Sequence, residues 1–202
     1  MSQQNEKAKE IKKPLFTGRD KKKEEPREKK SLGREIFEWI MVFVVAGALA
    51  LTVRTLIFEP VRVDGQSMMD TLLDGEFMIA SKFDYLLGNP ERFDIVICYY
   101  PNVSDHKYRV KRVIGLPGDE VYLKGNDLYI NGELTEQPFP LRNNTLKDYY
   151  IDKIPEGQYV LFGDNRGNSR DTRDVGLIPR SMIKGHVRAV VFPFSKFQIM
   201  EY

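Results

Sequence analysis

Residues 36–58 read IFEWIMVFVVAGALALTVRTLIF, and the organisation of the whole chain turns on them. From Trp39 to Val53 the run is apolar and carries no charge. A helix of roughly 20 such residues spans a bilayer. Glu38 and Arg54 sit near the ends, where long side chains can reach the interface. Trp39 suits an interfacial aromatic belt. A cleaved secretory signal would carry its apolar stretch close to the N-terminus, followed by small residues. Here a long charged segment precedes the run and Thr-Leu-Ile-Phe-Glu-Pro follows it. A buried helix of a soluble domain is the other alternative. The length and the flanks favour a transmembrane anchor over residues 35–58.

Upstream, residues 1–34 hold twelve basic and six acidic side chains, a charge of +6 in a chain whose formal net charge is +2. The remainder is therefore −4. So charged a segment, with few apolar side chains, cannot bury enough surface to offset the entropy of ordering. The sequence predicts a disordered basic tail over 1–34, solvated or in contact with acidic lipids. Positive charge ahead of the helix puts that tail in the cytoplasm and residues 59–202 outside.

Downstream, residues 59–202 read as β. Short apolar or β-branched runs recur at 77–80, 94–99, 121–123, 128–130, 158–162 and 187–192, separated by Gly, Pro, Asn and Asp. Asn126-Asp127 and Asn131-Gly132 are turn signals. Strands of this kind suit one β-rich domain, barrel-like or a sandwich. Cys98, the one cysteine, lies in the run 94–99 and reads as packing, and no intramolecular disulfide can form. His106 and His186 are the only histidines, too few with one cysteine for a metal site. A net charge of +2 gives no drive toward nucleic acid.

Three separated segments are polar and specific in composition: 64–72 (DGQSMMDTL), 108–119 (YRVKRVIGLPGD) and 163–173 (GDNRGNSRDTR). Each has a plain structural reading taken alone. The first could be a turn, the second the solvated face of an edge strand, the third a loop with Asx turns. A calcium loop fails on residue order, and Arg166, Arg170 and Arg173 would repel a cation.

Taken together, in this order and after an N-terminal anchor, SMMDTL, VKRVIGLPGDEV, LYINGEL and FGDNRGNSRDTR resemble the successive signature boxes of the bacterial type I signal peptidases. The resemblance covers about residues 33–200. It implies a membrane-bound serine endopeptidase with a coiled antiparallel β-sheet domain, cutting signal peptides of secretory preproteins after an Ala-x-Ala-like site. Ser67 matches the nucleophile and Lys111 the general base. A serine hydroxyl needs a neighbouring base, and a lysine serves only when neutral, so its pKa must fall from about 10.4. Ser169 matches a serine that orients the lysine, Asp164 a partner for Arg112, and Asp171 and Arg173 an ion pair. Met68 is expected to line the substrate pocket. The backbone N–H of Ser67 would serve the oxyanion. Two departures stand out. Gly65 occupies a position where some members offer a second, hydroxyl donor, and Asp70 replaces the usual proline. No metal or other cofactor is implied. Signal peptides and membrane lipids are the expected partners, and a monomer is the expected state.

Two other classes remain open from sequence. A self-cleaving repressor-type protease shares the dyad chemistry but is soluble and joined to a DNA-binding segment. An inactive tethered β-domain would bind peptides or export machinery, and Asp70 is the feature that raises it.

Overall fold

The structure, a computed structural model, describes residues 31–101, 103–104, 107–142 and 147–200. Residues 1–30 of the expected tail, and His106, lie outside the described residues. The chain divides into two compact units at Phe43/Val44, inside the first helix, so the helix and the β region are described separately.

Helix α1 runs Leu32–Leu56. The Ser31 carbonyl accepts the Arg34 N–H at 2.8 Å and opens it. Glu35 in the first turn and Arg54 in the last complement the helix dipole. The most apolar 18-residue window within Leu32–Arg54 has a mean hydropathy of 2.3, and none of it is buried. A helix apolar on every side suits lipid, and 25 residues give about 38 Å of length. By length and composition it fits one membrane span. Both ends differ from the expected 35–58. Residues 32–34, assigned to the tail, are helical. Ile57 and Phe58, assigned to the helix, form a turn and the first residue of a strand, and Pro60 keeps Glu59 extended after them.

The β region contains strands β1 (Phe58–Arg62), β2 (Phe77–Ser81), β3 (Ile95–Cys98), β4 (Arg109–Gly115), β5 (Val121–Lys124), β6 (Asp127–Ile130), β7 (Glu133–Leu134), β8 (Tyr149–Ile151), β9 (Gln158–Phe162), β10 (Ile178–Pro179), β11 (Ile183–Phe192) and β12 (Gln198–Ile199). Short helices α2 (Asp84–Leu87) and α3 (Thr172–Val175) interrupt them. One sheet has the order β1-β2-β11-β3-β4-β9-β10, with β12 paired to β11; the other has the order β7-β6-β5-β8. Every strand pair is antiparallel. Register shifts in β11 and at Val113/Gly115 in β4 are bulges, which bend and twist the larger sheet. Pro60 sits on β1 at an edge, where a missing donor is tolerated.

Burial follows the period of two. On β3, Ile95 and Ile97 enter one core cluster while Val96 and Cys98 enter another, so the strand is covered on both faces. That is why Ile95–Cys98, within 94–99, reads as an unbroken apolar run. A third cluster, with Ile114, Val121, Leu123, Leu128, Ile154 and Phe162, joins the smaller sheet to the larger one. Between β6 and β7, Asn131 (φ 52°) and Gly132 (φ 81°) form the two-residue turn their sequence announces. The turn before β6 falls one residue earlier than expected, at Gly125-Asn126.

Candidate active site

Ser67 lies in the excursion between β1 and β2. The Val63 N–H donates to the Glu76 carbonyl (2.8 Å) and the Gly75 N–H to the Val63 carbonyl (3.0 Å), closing its base. The excursion coils once, with the N–H groups of Thr71 and Leu72 donating to the Met68 carbonyl at 2.8 Å. Met68 and Leu72 are fully buried and fix the coil in the core. Met68, expected to line the substrate pocket, is not among the residues lining the cavity at Ser67. Its apolar side chain packs with Val61, Val63 and Met78 instead. Gly65 has φ +92°, a conformation that a serine would adopt only with strain, and its N–H donates to Asp74 Oδ1 (2.9 Å). The glycine therefore answers a backbone requirement.

Lys111 lies on β4, between β3 and β9. The edge-strand reading of Lys111-Arg112 is corrected: the strand is interior, and both residues are buried. Neighbouring residues on a strand face opposite ways, and the two side chains do so to different ends. Lys111 Nζ is 2.7 Å from Ser67 Oγ and donates to the Val110 carbonyl (2.8 Å). Burial pushes its pKa down to about 8, opposed chiefly by Cys98, Asp171 and Asp164. Arg112 donates from Nε (2.9 Å) and Nη2 (2.7 Å) to the two oxygens of Asp164, and from Nη1 to the Phe93 carbonyl (2.9 Å). Its guanidinium lies 3.9 Å from the centre of the Phe139 ring.

The segment after β9 frames the pair. Asn165 donates its N–H to the Ser67 carbonyl and its side-chain amide to the Gln66 carbonyl, both at 3.0 Å. Thr71 Oγ1 donates to Asp164 Oδ2 (2.5 Å), tying the serine coil to the buried Arg112–Asp164 pair. Asp171 caps α3, accepts the Gly163 N–H (3.0 Å), and forms a two-pronged ion pair with Arg173 (2.6 and 2.8 Å). Gly163 packs so closely that a Cβ there would fall on the Ser67 carbonyl oxygen and the Ser169 hydroxyl. Ser169 Oγ is buried beside it and makes no hydrogen bond, to Lys111 or to any other group. Sequence reasoning gave no role to Gly163, Asn165 or Thr71. All three were visible inside the quoted motifs, but only as members of a pattern.

A cavity of about 260 Å³ opens on Ser67 and Lys111, lined also by Gly65, Gln66, Tyr100 and Asn168. A larger one of about 700 Å³ shares Asp64 and Arg109 with it and runs past Pro60–Val63 and Tyr108. Chemically this is a hydroxyl held against a buried amine, next to a groove. Among the described residues no group of His, Cys, Asp and Glu is placed to hold a metal ion.

The family model described as signal peptidase, peptidase S26, matches residues 36–192. Signal peptidase I of Bacillus licheniformis is 38% identical over 183 residues, covering 85% of this chain and 97% of that protein. Signal peptidase IB of Staphylococcus aureus is 36% identical over 182 residues, covering 82% and 94%. A crystal structure of signal peptidase I from Enterococcus faecalis shares 30% identity, with a TM-score of 0.41, over 49% of this chain and 97% of that one.

Proposed function

Because the chain belongs to the signal peptidase family of serine peptidases, peptidase S26, we propose that it removes signal peptides from exported preproteins through Ser67 and Lys111. The observation that carries this reading is the 2.7 Å contact between Lys111 Nζ and Ser67 Oγ, with burial holding the lysine near pKa 8. A lysine so depressed is partly neutral near pH 7 to 8 and can take the serine proton.

The steps follow from that geometry. Ser67 Oγ attacks the carbonyl carbon of the scissile peptide as its proton passes to Lys111 Nζ. The oxyanion accepts the backbone N–H of Ser67. Lys111 then protonates the leaving amine, the C–N bond breaks, and an acyl-enzyme remains. Water attacks the ester as its proton passes to Lys111, the bond between the acyl carbon and Ser67 Oγ breaks, Lys111 returns the proton to Oγ, and the acid is released. Asp164, Arg112, Asp171 and Arg173 hold the frame, and Ser169 packs against it. The substrate lies extended along the groove beside β1 and β4, with an Ala-x-Ala-like sequence before the cut. Helix α1 anchors the enzyme as a monomer in the cell membrane, with residues 1–34 in the cytoplasm and 59–202 outside. Holding enzyme and substrate in one membrane raises their effective concentration.

The test is cleavage of a preprotein by the full chain in detergent, beside Ser67→Ala and Lys111→Ala. Cleavage after the small-residue site, lost in both variants, is the expected result. Cleavage that survives either substitution would overturn the residue assignment.

A further inference from the structure

The coil that carries Ser67 is held on one side by apolar burial and on the other by polar contacts with the segment after β9. Met68 and Leu72 supply the first. Asn165 and the Thr71–Asp164 hydrogen bond supply the second. A further contact starts from the same coil and takes a different route. Asp70 Oδ1 meets Arg142 Nη1 at 2.7 Å, with both side chains about half exposed. Arg142 is itself fastened by its main chain. Its N–H donates to the Asp164 carbonyl (3.0 Å), its carbonyl accepts the Arg166 N–H (2.9 Å), and it bridges Asn165 as a parallel pair. The carboxylate of Asp70 thus reaches the segment that holds Ser67 from behind. The contacts close a ring: coil, Asp70, Arg142, Asp164 to Asn165, and back to the coil through Thr71 and the Ser67 carbonyl.

We propose that Asp70 and Arg142 are a positioning pair, whose ion pair fixes the orientation of Ser67 by bracing its coil against residues 164–166. This rests on the reading of Ser67 as the nucleophile. Neither residue lines the cavity at Ser67 or the adjoining groove, so the pair acts through the coil and not on substrate. Small displacements of a reacting group are costly, while a half-exposed ion pair is weak. The second limit sets the scale, a roughly two- to fivefold effect on turnover.

The experiment measures kcat and KM for preprotein cleavage by the full chain carrying Asp70→Asn, Arg142→Gln, both together, Asp70→Arg, Arg142→Asp, and the exchanged pair. Each neutral single variant is expected to lose about two- to fivefold in kcat with KM unchanged, and the neutral double variant to be no worse than either. The exchanged pair should regain activity over both single reversals, which a general loss of stability would not produce. Losses that add in the double variant, a change confined to KM, no loss at all, or no regain on exchange would each overturn the pair. Ser67→Ala run in parallel separates the two levels. Full cleavage by that variant would remove the nucleophile reading and the pair with it. An inactive Ser67→Ala with no coupling between positions 70 and 142 would remove the pair alone.

Discussion

At the scale of the residue, the proposed chemistry depends on one buried amine. Lys111 titrates near pH 8 in the fold against an ordinary 10.5, chiefly because burial disfavours its charged form. Turnover by the proposed mechanism should therefore rise with pH and level off above about 8, read as kcat/KM on a peptide substrate. The same shift sets a stability window. Below pH 8 the ammonium is charged in both folded and unfolded chains, and the cost of burying it is fully present. Between about 8 and 10.5 the unfolded chain binds more protons, so this group makes stability rise with pH; above that range its cost is gone. The Lys111→Met variant should be more stable than the parent at pH 7, by up to about 3 kcal/mol. Its advantage should shrink toward pH 10 in denaturant titrations. An advantage independent of pH would point to packing instead. The sequence marked Lys111 through its motif and its apolar neighbours, yet it could not tell an interior strand from an edge. That depends on β3 and β9, whose nearest residues in the chain lie far from Lys111. The inward turn of Met68 had no local signal for a related reason. The coil that carries it packs its side chain into the core cluster with Val61 and Met78.

At the scale of the element, the segment 163–171 does the holding, and its first residue is the tightest point. A Cβ at position 163 would fall on both the Ser67 carbonyl oxygen and the Ser169 hydroxyl. Gly163→Ala should push the serine coil away from Lys111 and cost about 100-fold in kcat. The fold should survive, because Leu161 and Phe162 keep their burial, and circular dichroism and a melting curve would check that. Near-normal turnover in a folded Gly163→Ala would show that the coil yields without losing its geometry. The strands with apolar runs, β2, β3, β5, β6, β9 and β11, were legible from period and punctuation. β8, β10 and β12 were not, since two or three residues with exposed or mixed side chains carry no period. β1 was hidden by its attachment to the helix, whose apolar composition continues into Phe58. The pairings Asp164–Arg112 and Asp171–Arg173 followed from the family resemblance and are present as short two-pronged contacts. The tie from Thr71 to Asp164 spans 93 residues of sequence and had no local signal.

At the scale of the whole molecule, the question is which side of a membrane the β region occupies. The described helix fits one span by length and composition. Its direction follows from charge, and here the asymmetry is large: twelve basic side chains lie within residues 1–34, against a net −4 over the rest. Lys and Arg near a span stay on the cytoplasmic side, while acidic residues contribute little. The first of these facts predicts a tail inside, and the second means that the acidic residues interleaved in it do not cancel that prediction. On that charge rule the β region is predicted to face outward, where the preproteins of the proposed reaction emerge. A chain tagged at both ends and expressed in bacterial cells tests this. With the outer face exposed to added protease, the C-terminal tag should be lost and the N-terminal tag kept until the membrane is broken. Replacing Lys21, Lys22, Lys23, Arg27, Lys29, Lys30 and Arg34 with Gln should blur that result, giving a mixed population with both tags partly protected. Protection of the C-terminal tag in the parent chain would place Ser67 and Lys111 in the cytoplasm, out of reach of exported substrates. The dyad geometry would stand, and signal-peptide removal as the activity would fall.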